Sequence, residues 1–150
     1  MIVAMKLMRL TVAALLAASF LISAAHAQKW GRLAPFPEAS EELYGVAVND
    51  KFYAFGGLAP GWTPKGLMYE YDPDGDTWTK KKNMALALHH PAWVALNGKI
   101  YLFGGFTKPA KGPSAWVPID NTWEYDPRTD SWKALAPMPS RRGAAVAAVV

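Results

Sequence analysis

The sequence predicts an all-β fold of small sheets set around a common axis, and three observations carry that reading. The chain repeats itself: Tyr53-Ala54-Phe55-Gly56-Gly57 returns as Tyr101-Leu102-Phe103-Gly104-Gly105, and Tyr69-Glu70-Tyr71-Asp72-Pro73 returns as Trp123-Glu124-Tyr125-Asp126-Pro127. Each copy then reaches a tryptophan, Trp78 or Trp132, two residues after an aspartate. Short apolar runs and turn residues fill the interval, with no helical period. Repetition at about 50 residues with strand and turn signals alone describes a radial array of β-sheets.

Each copy reads as four strands. Val46-Ala47-Val48, Asn49-Asp50-Lys51 and Phe52 to Phe55 form a hairpin, as do Trp93 to Leu96, Asn97-Gly98-Lys99 and Ile100 to Phe103. Asn-Gly tolerates the positive φ angles of a type I′ turn, whose twist matches paired strands. The apolar runs are expected to be inner strands buried on both faces. Gly56-Gly57 and Gly104-Gly105 should end the second strand, where the missing Cβ lets another backbone come close. A third strand, Leu67 to Tyr71 and Thr122 to Tyr125, stops at an Asp-Pro turn. The fourth carries Trp78 or Trp132, expected to fill the wedge between adjacent sheets.

A diglycine after an apolar strand, then a tyrosine, then a tryptophan, at this spacing, resembles the kelch repeat over essentially all of residues 28 to 150. The resemblance implies an incomplete kelch-type β-propeller: blade one at 34–78, blade two at 79–132 and the start of blade three at 133–150. Trp30-Gly31-Arg32-Leu33 sits where a fourth strand would, so residues 28–33 read as an orphan strand that completes a last blade. Its partners are expected in C-terminal blades of a longer protein, of about 300 to 350 residues if six or seven blades close the ring.

The first 27 residues stand apart. Lys6 and Arg9 precede an apolar, Ala-rich run from Leu10 to Ile22, and Ala25-His26-Ala27 is a small-x-small cleavage pattern. The run is shorter than the about 20 residues needed to span a bilayer, so 1–27 reads as a Sec-type signal peptide and the mature chain as periplasmic or secreted, with no stable membrane insertion. The chain has no cysteine and a formal net charge of +4. Interspersed charges of both signs argue against a nucleic-acid partner, and Lys80-Lys81-Lys82 reads as a solvated turn face.

In a four-stranded meander the turns joining strands one to two and three to four share one face; the longer connections lie opposite. That opposite face collects Leu58 to Gly66, Phe106 to Asn121 and the entries to the inner strands at Glu38 to Leu43, Ala85 to Pro91 and Pro139 to Gly143, with Trp62, Lys65, Lys108, Lys111 and Trp116 expected to rim any site. The second connection is six residues longer: the diglycines repeat at 48 (56 to 104), the Tyr-Asp-Pro units at 54 (71 to 125). Loop variation on a rigid scaffold is where binding concentrates.

His89, His90, Arg141 and Arg142 precede inner strands near the channel mouth. There they either contact a ligand or satisfy loop backbone. Adjacent histidines in a strand point to opposite faces, so a shared metal is not expected. Asp72, Asp74 and Asp76 lack the distal Glu of a calcium loop and read as a plain turn. No nucleophile-base set is present. The leading reading is an exported binding module for a protein or glycan, without cofactor. The resemblance also offers enzymes: a sialic acid mutarotase type, for which the His and Arg residues are the acid/base candidates, and a galactose oxidase type, whose Tyr-Cys cofactor needs a cysteine that further blades would have to supply.

Overall fold

The computed structural model describes residues 30 to 109, 111 and 116 to 150. The segment read as a signal peptide lies outside the described residues. From Leu33 to Val150 the chain is one compact unit. Its first sheet is the antiparallel meander β1 (Glu41–Val48), β2 (Lys51–Ala59), β3 (Thr63–Asp72) and β4 (Thr77–Lys80). The second joins β5 (Ala92–Leu96), β6 (Lys99–Phe103), β9 (Thr122–Asp126) and β10 (Ser131–Leu135) in the same order. Between β6 and β9, the short strands β7 (Phe106–Thr107) and β8 (Val117–Pro118) pair with each other.

The two hairpins have one register: Val46 pairs with Tyr53 and Val94 with Tyr101. Asn49, Asp50, Asn97 and Gly98 all have positive φ, as a type I′ turn requires. Both diglycines do too, but their places in the sheet differ. Gly104-Gly105 follows β6, as expected, whereas Gly56-Gly57 lies inside β2 at a register shift. The segment 58–66 is likewise mostly strand, because β2 and β3 run on to a tight turn at Pro60 to Trp62. Of the inner hairpin strands, β2 has a buried run from Tyr53 to Leu58, while β1 and β5 are mostly half-buried.

The core lies between the sheets. Tyr53 meets Tyr125 at 6.1 Å and Phe55 meets Trp93 at 5.9 Å. Met84 and Leu88, from the segment joining the sheets, are buried with Met68, Ile100 and Leu102. These residues fill the wedge; Trp132 packs against them from its edge, and both Trp78 and Trp132, half-buried, have a further task.

That task is to hold the incoming chain. Trp78 Nε1 donates to the Ala34 carbonyl at 3.0 Å, while the Ala34 N–H donates to Asp76 Oδ1 at 2.7 Å. Trp132 Nε1 donates to the Lys82 carbonyl at 3.0 Å and the Lys82 N–H donates to Asp130 Oδ1 at 2.9 Å. Each aspartate also accepts from a tyrosine, Tyr71 at 2.6 Å or Tyr125 at 2.8 Å. Tyr71 is pushed up to about 12 by the Asp76 hydrogen bond, with desolvation adding. On its other side the joining segment is bound to the first sheet, Lys81 N–H to the Met68 carbonyl and Met84 N–H to the Gly66 carbonyl. It is a strap fastened to both blades.

The lysine run is largely paired, Lys80 with Glu38 at 2.8 Å and Lys81 with Glu70 at 3.7 Å. Glu38 also meets Lys65 at 3.1 Å and accepts from the Tyr69 hydroxyl at 2.5 Å. The Lys80, Tyr69 and Lys65 hydrogen bonds pull its carboxyl down to about 2 from 4.5. A depressed carboxylate stabilises the fold above its unfolded pKa, and that contribution disappears as the pH falls from about 4.5 to about 2. Glu38→Gln is expected to cost about 1 kcal/mol at neutral pH. Thermal melts of the two proteins should converge with acidification across that window.

An apolar groove on the first sheet is lined by Leu33, Ala47, Phe52, Tyr71, Pro73 and Trp78. The residues 48 positions beyond Ala47 and Phe52 are Ala95 and Ile100. Ile100 is fully buried, whereas Phe52 is 42% exposed. The same face is covered by the first sheet in one blade and open in the other.

Candidate functional site

Glu42 at the start of β1, His90 just before β5, and Ala144, which follows His90 by the 54-residue period of the Tyr-Asp-Pro units, have φ of 52, 50 and 53°. Such values are uncommon outside glycine. The backbone there is pinned by hydrogen bonds: His90 N–H donates to the Tyr44 hydroxyl at 2.7 Å and Ala144 N–H to the His90 carbonyl at 2.9 Å. His89 and Phe106 exchange N–H to carbonyl bonds of 2.9 and 2.7 Å.

The left-handed turn at His90 breaks the alternation of a regular strand, so the two imidazoles converge instead of diverging. Their Nδ1 atoms are 2.8 Å apart. Glu42 Oε2 stands 3.4 Å from His89 Nδ1 and 3.3 Å from His90 Nδ1. The expectation that adjacent histidines face opposite ways is thereby corrected, and with it the reason for excluding a shared ion. Glu42 Oε2 is buried and is the one such side-chain atom among the described residues with no hydrogen-bond partner.

Aromatic rings wall the cluster. Trp116 lies 4.6 Å from the His89 ring and 5.2 Å from the His90 ring; Phe106 lies 5.7 and 6.2 Å from them. Tyr44 packs on His90 at 5.9 Å. Burial pushes the Tyr44 hydroxyl's pKa up, the His90 N–H opposes this and the Glu42 charge adds to it. His89 is fully buried, while the side chains of His90 and Glu42 are 28% and 29% exposed and give solvent its access. A carboxylate and two imidazoles so placed can share a proton or coordinate a cation.

The other candidate residues are dispersed. Trp62, at the β2–β3 turn with φ 55°, is 56% exposed. Lys65 is held by Glu38 and by the Ala39 carbonyl at 3.1 Å, so it is spent on structure. Lys108 donates to Thr63 Oγ1 at 3.3 Å and joins the two connections across the blades; Lys111 is exposed. Trp116 is 45% exposed but packs edge-on against His89 and at a tilt against His90. Arg141 is turned to Asp120 at 3.9 Å, and Arg142 donates to Ser140 Oγ. Both arginine side chains are thus engaged by other groups, whereas the two imidazoles converge on Glu42. Asp72 accepts from Asp74 and Gly75 N–H and pairs with Lys51 at 2.7 Å, which makes it a turn residue.

Sequence reasoning placed Glu42 and Phe106 on this face only as members of a strand entry and a connection, singled out neither, and missed Tyr44. A signal for Glu42 was present: it lies 48 residues before His90, the period of the diglycines.

Two four-stranded antiparallel meanders, joined by a strap and packed face to face, define the chain as consecutive blades of a β-propeller. A family model described as the Kelch motif matches residues 45–85 and 88–139, and the chain belongs to the kelch family. It is 32% identical over 115 residues to Kelch-like protein terF of Aspergillus terreus, covering 73% of this chain and 24% of that protein. It is 30% identical over 129 residues to Kelch-like protein 15 of Danio rerio, covering 76% of this chain and 21% of that protein. Kelch repeat and BTB domain-containing protein 12 of Homo sapiens is 29% identical over 125 residues, covering 74% and 19%. The chain thus spans a quarter or less of the length of these relatives. The solved structure of YjhT superposes with a TM-score of 0.63 at 19% identity, over 78% of this chain and 44% of that one, which shows a shared fold.

Proposed function

We propose that this chain is part of an exported kelch propeller that binds a protein or glycan through the face built by its β2–β3 and β6–β9 connections. The observation that carries the reading is the exposed Trp62 beside the Lys108–Thr63 bridge, which makes one surface of two connections. Exposed tryptophan on a rigid turn is the residue type that most often dominates an interface. Belonging to the kelch family supports a protein partner. The open groove around Phe52 supports a further blade packed on the first sheet, by analogy with the covered face of the second.

The test uses the full-length protein in a glycan array and in cross-linking within the exported fraction. Trp62→Ala is expected to weaken a captured ligand at least about ten-fold while leaving the melting temperature unchanged. Equal affinity in the variant would remove the face from the proposal. N-terminal sequencing of exported material should begin at Gln28, and full-length protein confined to the cytoplasm would refute export. Anomer exchange above background, followed by NMR with candidate sugars, would replace the binding reading with an enzymatic one.

A further inference from the structure

We propose that Glu42, His89 and His90 bind a divalent transition-metal ion, with Zn²⁺ as the probe, through Glu42 Oε2 and the two Nδ1 atoms. These atoms lie 2.8, 3.3 and 3.4 Å from one another. Ligands about 2.0–2.1 Å from a tetrahedral zinc stand about 3.3–3.4 Å apart. Two edges already have that length, and the third opens by about 0.5 Å with a small tilt of one ring.

The alternative occupant is a proton, and it serves the site less well. One proton between the facing imidazole nitrogens satisfies that pair but leaves Glu42 Oε2 buried without a donor. A cation between the three atoms satisfies all of them at once.

The ligand chemistry sets the class of ion. Two imidazoles with one carboxylate suit Zn²⁺ and its first-row neighbours, whereas Ca²⁺ and Mg²⁺ require oxygen. Three protein donors leave a coordination position for water or for an oxygen of a bound molecule, as at catalytic and not structural zinc sites. The donors are pre-positioned by the His89–Phe106 backbone pair and by the Tyr44 bond to His90. The aromatic wall limits water around the charge. Competing soft donors are scarce, since the chain has no cysteine and its only other histidine is His26.

Calorimetric titration of the chelator-treated full chain with Zn²⁺ should give one site per chain, undisturbed by millimolar Mg²⁺. Co²⁺ should produce the visible absorption of a low-coordinate nitrogen and oxygen site. Glu42→Gln and His90→Gln, checked for folding by circular dichroism, should each lower Zn²⁺ affinity at least about ten-fold. If His90→Gln does not fold, Glu42→Gln and the Co²⁺ spectrum decide. Undiminished affinity in Glu42→Gln, or parent binding weaker than about 1 mM, overturns the site.

Discussion

Gly105→Ala is expected to lower the unfolding free energy by about 3–5 kcal/mol, enough to unfold a marginal domain. Gly105 has φ of 105°, beyond the left-handed region that other residues tolerate. A Cβ there would stand 2.8 Å from the His89 carbonyl oxygen and 3.2 Å from the Pro91 nitrogen, both backbone atoms held in place by the strap. Neither can retreat as a side chain would. Gly61 is the built-in control, because its φ is 77° and an added Cβ would meet nothing within 4 Å. Gly61→Ala should cost only about 1 kcal/mol of backbone strain. The difference between the two variants in denaturant titrations measures the close approach of the strap; equal losses would show that the glycine is needed for φ alone.

Asp130→Ala should cost about 2–4 kcal/mol. One carboxylate oxygen accepts from the fully buried Tyr125 hydroxyl and from the Lys82 N–H. Removing it leaves both donors without their acceptor, and alanine must also adopt the positive φ of 47°. Tyr125 is raised well above a normal phenol, first by burial and then by Asp130, so it stays a donor at any physiological pH. Asp130→Asn keeps an acceptor and tolerates left-handed backbone, and should lose less than half as much. An Asn variant as unstable as the Ala variant would mean that charge, not the hydrogen-bond pattern, holds the strap.

What could be read in the sequence was set by period and turn chemistry. Asn97-Gly98 marked its hairpin, Asp72-Pro73 and Asp126-Pro127 ended their strands, and the repeats placed two blades. Long-range partners had no such signature. Trp78 and Trp132 were legible as structural, but their grip on Ala34 and Lys82 spans 44 and 50 residues. Burial by Met84 and Leu88 follows from how the strap crosses the core, which no local pattern encodes. At the candidate site, His89 and His90 were visible as unusual neighbours, yet strand geometry predicted divergence. The left-handed turn at His90 is enforced by Tyr44 and Ala144, both remote in sequence, and so Glu42, on the expected face, was not linked to the histidines.

Because residues 81 to 88 are bonded to one sheet and clasped by the next, the border between two blades is the worst place to break this chain. The β6–β9 connection already carries six extra residues without disturbing either clasp. A unit that can be copied, swapped or circularly permuted therefore starts and stops at that outer connection. It carries half of one sheet, the crossing segment and half of the next, and the visible blade is not its boundary.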